Sequence, residues 1–329
     1  MDTFTAYKLS KGNEWIIPFL EKKKYFNFNN NPELVRWMKL SRFIVELHQL
    51  FEIYLWNYSQ LANGLYLNVD GRINRILDNG TNQSQLIRVN GYVMNCVSSA
   101  VNFLKSVEKY CKHEARAGKK AIFSFAAEFL EFLHAKFYGD LHYALAYVLR
   151  NYSQHGQLII SIHNDDGEHN RVCLDMFQLL NAELVSINDD TREKLEYIYD
   201  SLRDIEEGPI RLFLAQFLSS LHLNVCSLYE DFLSRLDPYV LESKERVETL
   251  LEESHEKILS TSDLPYFIIL LEENHDRDIA HFIIEPPDKS VALLQHMKKE
   301  AGEKLLDAKE KLNMTNQCFK HVVCSPESL

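Results

Sequence analysis

The stretch Leu149-Arg150-Asn151-Tyr152-Ser153-Gln154-His155-Gly156 brings a guanidinium, a carboxamide and an imidazole to the close of a helix-like run. Those side chains suit the cleavage of RNA without a metal. A neutral imidazole can take the proton of a 2′-hydroxyl and, once protonated, give one to a leaving 5′-oxygen. A guanidinium clamps a phosphate whose negative charge grows at the transition state. A carboxamide can hold an imidazole in one tautomer and orientation. The same spacing also fits a plain helix end, where His155 donates to orphan carbonyls under the C-terminal dipole and Arg150 is a surface or interface residue.

On a helix, Leu141, Leu145, Val148 and Tyr152 form a core stripe that reaches His155 one turn on. Asn151 is one turn below His155, so the two can touch, whereas Arg150 stands about 140° around the axis from it. Tyr143, Tyr147 and Arg150 make a second stripe on a flanking face.

Arg150-Asn151-x-x-x-His155 resembles the Arg-x(4–6)-His signature of the HEPN superfamily in its narrower Arg-Asn-x-x-x-His form. That form occurs in RNase toxins, in abortive-infection and anti-phage proteins, and in the RNA-cutting domains of type VI CRISPR effectors. The resemblance spans about residues 85–236. It implies a helical bundle, a homodimer whose paired motifs share one composite site, and metal-independent cleavage that leaves a 2′,3′-cyclic phosphate. No cofactor is implied. RNA would be the substrate, with an antitoxin or defence-system component as a further partner. Arg150 would bind and polarise the phosphate, His155 would act as general base or acid, and Asn151 would orient His155. Tyr147 and Tyr152 would support the motif, and Glu128, Glu131 and His142 are the candidates for an assisting polar residue. The alternative is a non-catalytic module of the same type that binds a nucleotide or protein and keeps the motif for dimer packing. Arg42 and His48 satisfy the loose signature too, but without the Asn and in mid-helix, and are read as packing.

The chain around these residues has 329 positions, 46% of them hydrophobic, with 16 Tyr and 19 Phe against only 11 Gly and 8 Pro. That is the balance of a helix-rich globular protein with a substantial core. A net charge of −11 provides no long-range attraction for nucleic acid, so RNA binding must come from a local basic site. Lys22-Lys23-Lys24 and Lys119-Lys120 are short basic runs. Cys96, Cys111, Cys173, Cys226, Cys318 and Cys324 form no CxxC pair and read as reduced, buried thiols. Neither Cys318-x-x-His321-x-x-Cys324 nor the Glu252, Glu253, His255, Glu256 face has the spacing of a complete metal site, and no metal is expected. There is no Walker loop, GxSxG elbow or HExxH. No secretory h-region and no bilayer-length apolar run is present, so the expected compartment is the cytoplasm and no membrane is a partner.

The fold class expected is mainly α, a HEPN-like helical bundle with two small β-hairpins. Helical periodicity covers 34–62, 84–115, 121–137, 141–155, 191–206, 210–236, 239–260 and 290–313, with Pro238 ending the sixth of these. Asp140 is placed to cap the helix that carries the motif. β-Branched runs around polar turns predict hairpins near 157–179 and 265–287. Turn punctuation suggests an irregular and helical region over 1–83, a HEPN-like domain over 84–237 with the first hairpin inserted, and a C-terminal region over 238–329.

Overall fold

Trp37, Leu40, Ile44, Leu47, Phe51 and Tyr54 recur every three or four positions, so one helix face collects them all, and each is buried. They lie on α1, Pro32–Gly64. Val93, Cys96, Val97, Val101 and Leu104 do the same on α2, Asn82–Ala117. The computed structural model describes residues 3–5, 32–64, 82–117, 124–138, 140–153, 160–164, 170–175, 193, 196, 200, 211–258, 269–273, 279–283 and 287–318. Among these the protein is mainly α. α3 is Ala126–Leu133 and runs on as a π turn over His134–Tyr138; α4 is Leu141–Ser153. α5 is Leu214–Ile258 and α6 is Pro287–Cys318.

Both expected hairpins are present, each widened by a third strand that short local patterns do not announce. Strand β2, Ile160–Asn164, pairs antiparallel with β3, Asn170–Asp175, and β4, Arg211–Phe213, adds to the other edge of β3. Strand β5, Ile269–Glu273, pairs with β6, Ile279–Ile283, and carries β1, Thr3–Thr5, on its free edge. Residues 211–213 are therefore strand where helical periodicity predicts helix; pairing with β3 outweighs local preference there.

Pro238 does not end a helix, which corrects the sequence expectation: α5 continues past it. An interior proline forfeits one backbone hydrogen bond and crowds the preceding turn, at about 3 kcal/mol. Burial of Leu236, Val240 and Val247 on either side opposes that cost. Asp237 is also anchored from α6, by Lys298 Nζ at 2.6 Å and Gln295 Nε2 at 3.0 Å.

The chain divides into two compact units. One comprises residues 1–46 and 232–299, with Trp37, Leu40, Phe43, Phe232, Leu236, Leu294 and Met297 in its core. The other comprises 47–231 and 300–329, and its core is aromatic. There Tyr229 stacks on Phe51 at 3.8 Å between centroids, and Phe103 meets Tyr229 edge-on at 5.7 Å. Cys96, Cys111, Cys173 and Cys226 are buried free thiols, and burial pushes Cys96, Cys111 and Cys226 up to about 12. No described helix is long and apolar enough to cross a membrane.

The motif helix begins as expected. The backbone N–H of Tyr143 donates to Asp140 Oδ1 at 2.9 Å, the bond of an N-cap. Burial opposes the Asp140 charge, but hydrogen bonds with His142, the Tyr143 N–H and Asn224 outweigh it and hold the carboxyl below its ordinary range. A depressed carboxyl contributes stability that is present above the unfolded-state pKa and lost as pH falls through the folded one. Asp140→Ala is therefore expected to cost about 1 kcal/mol at neutral pH. In urea unfolding the gap between variant and wild type should close on strong acidification; a constant gap would show that the charge contributes nothing.

Candidate functional site

Arg150 and Asn151 occupy the last turn of α4, and both are half-buried. Leu145 and Val148, the stripe residues whose burial is described, turn inward, and α4 packs against α2. On that helix Tyr147 meets the flank where α2 carries its lysines.

The side chain of Asn151 is hydrogen-bonded to Tyr147, one turn earlier on the same face. This bond is the main reason the Tyr147 hydroxyl is held below its ordinary value; partial burial pulls the other way, and the cations Lys105 and Arg150 add to the depression. Lys105 Nζ lies 4.2 Å from the centre of the Tyr147 ring, a cation–π contact that ties α2 to α4. Tyr147 thus joins the polar end of the motif helix to a cationic strip.

Beyond Lys105 the strip continues along α2. A cavity of about 720 Å³ is lined there by Lys105, Glu108, Lys109, Lys112, His113 and Arg116. Among the described residues that line it, four cations face one carboxylate, and that carboxylate is engaged: Lys112 Nζ is 2.5 Å and His134 Nε2 is 3.4 Å from Glu108 Oε1. The surface is locally positive on a chain whose net charge is −11. Sequence reasoning missed these residues. The signal was nevertheless present, since Lys105, Lys109, Lys112 and Arg116 follow one another at four-, three- and four-residue steps and so share a helix face.

The remaining candidates fall differently. His155 and the expected capping Gly156 lie outside the described residues, as do Lys22-Lys23-Lys24, Lys119-Lys120, His321 and Cys324. Tyr152 belongs to α4. Glu128 and Glu131 are exposed on α3. His142 pairs with Asp140 at 3.5 Å, and its ring stacks over Phe217 at 6.4 Å. It is therefore part of the α4 N-terminus, about 12 Å along the helix axis from Arg150. Arg42 is turned outward in an ion pair with Glu46 at 2.7 Å. Among the described residues, the side chains grouped so that they can hold a metal are His48, Glu52 and Glu300, on α1 and α6 and not on α4. Comparison with protein-family models, with curated proteins and with solved structures gives no match for this chain.

Proposed function

We propose that the chain is a metal-independent endoribonuclease of the HEPN type, in which Arg150, Asn151 and His155 from two copies form one composite site. The observation that carries this reading is the junction of Arg150 and Asn151, through Tyr147 and Lys105, with the cationic strip on α2. A single RNA strand needs closely spaced cations along its phosphates and a guanidinium at the scissile one. His155 takes the 2′-hydroxyl proton, the 2′-oxygen attacks the adjacent phosphorus, and the P–O5′ bond breaks. The 5′-oxygen leaves with a proton from an imidazolium of the site, and Arg150 bears the charge that builds on the phosphoryl oxygens. The products are a 2′,3′-cyclic phosphate and a 5′-hydroxyl. A role as a toxin or anti-phage effector follows from the resemblance of the motif.

The test is direct. Purified protein incubated with single-stranded RNA in excess EDTA is expected to leave cyclic-phosphate ends, at a rate that rises more steeply than linearly with protein concentration below the dimer dissociation constant. A dimer that binds RNA or nucleotide without cutting it would overturn the ribonuclease and favour the binding module.

A further inference from the structure

His48 and Glu52 stand one turn apart on α1, and Glu300 reaches the same place from α6. Their ligating atoms, one imidazole nitrogen and two carboxylate oxygens, all lie within 4.8 Å of one another. All three residues belong to the same compact unit. Two carboxylates this close repel each other unless a positive charge stands between them. Tyr229 is fully buried against Phe51 and Phe103, and its hydroxyl has no hydrogen-bond partner among the described residues. Burial first, and then the charges of Glu300 and Glu52, push that hydroxyl far above its ordinary value. A buried hydroxyl left unsatisfied costs about 1–3 kcal/mol, which makes one that feels the charges of Glu300 and Glu52 informative.

We propose that His48, Glu52 and Glu300 bind one divalent transition-metal ion of the zinc class, with the Tyr229 hydroxyl donating to a ligating carboxylate. The donor set decides the class of ion. An imidazole nitrogen with two carboxylates suits zinc-like ions, whereas magnesium and calcium favour oxygen-only shells. Two carboxylates and a neutral imidazole balance a double positive charge. Zinc bonds of about 2.0–2.2 Å need the three donors somewhat closer than they stand, a shift within reach of glutamate rotamers. Donation from a buried hydroxyl to a ligating carboxylate is the usual way such ligands are held in orientation. The site joins α1 to α6 and includes no residue of α4, so its role is to fasten the fold, and it does not rest on the ribonuclease reading.

The full chain, stripped with a chelator and dialysed, is titrated with zinc chloride against a chromophoric zinc indicator. A single saturating equivalent is expected, together with a rise in melting temperature on zinc addition. Glu52→Gln and Glu300→Gln are expected to weaken binding about tenfold or more, and Tyr229→Phe by about tenfold, with unchanged circular dichroism. A Cys318→Ser, Cys324→Ser double variant is expected to bind as the wild type does. The proposal is overturned if no equivalent saturates, if Glu300→Gln binds unchanged, or if the cysteine variant alone abolishes binding.

Discussion

On the proposed ribonuclease reading, Arg150→Ala is expected to slow RNA cleavage by about 10²–10³-fold, the loss typical of removing one preorganised charge from a transition state. The fall should appear in kcat, because the guanidinium acts on charge that develops only as the P–O5′ bond breaks. Arg150→Lys should recover only part of the rate, since an ammonium cannot reproduce the planar two-donor clamp. His155→Ala should cost about 10²–10⁴-fold through loss of proton transfer. Lys109 offers the contrast. It is exposed on the cationic strip, so Lys109→Glu should raise KM, leave kcat intact and lower the salt slope of RNA binding by about one. Single-turnover kinetics at two salt concentrations separate the two patterns. If Arg150→Ala and Lys109→Glu shift the same parameter, Arg150 is one more phosphate contact and the catalytic assignment is wrong.

The second large effect concerns acid stability. His222 is buried in the second unit, with the Tyr54 hydroxyl 2.8 Å from Nδ1, the Tyr58 ring stacked on it at 3.8 Å and Cys226 Sγ at 3.8 Å. Burial, and then the nearby Lys311, lower it from its ordinary 6.5 to about 3, with Asp307 acting against the shift and Lys304 with it. The folded protein thus holds this imidazole neutral where the unfolded chain protonates it. For a depressed pKa the stability is present in full above the unfolded value. It is lost progressively as pH falls from about 6.5 towards about 3. Each pH unit in that window should remove on the order of 1 kcal/mol, and the whole window about 5 kcal/mol. Urea midpoints at several pH values should fall steeply for the wild type. His222→Gln should begin less stable at neutral pH and decline more gently on acidification. Parallel slopes for the two proteins would mean that other groups govern acid unfolding.

The helices were legible because their causes are local. The six apolar positions from Trp37 to Tyr54, and the five from Val93 to Leu104, share a face by spacing alone, and burial followed that spacing. Asp140 announced itself as a cap for the same reason: its partner is three residues away. Pro238 misled because its local cost is real, but the decision lay with Leu236, Val240 and the α6 side chains that hold Asp237, far along the chain.

By itself, the sequence determined the mainly helical class, the two hairpins and the inward faces of α1 and α2. Only the tertiary structure decided that Tyr147 would meet Asn151 and Lys105 together, and that His142 would pair with Asp140 at the start of α4. It also brought Glu300 to His48 and Glu52. The physical reason is the range of the forces involved. Helix periodicity and capping act within a few residues, whereas a charge cluster forms only when burial of distant apolar faces brings its members together.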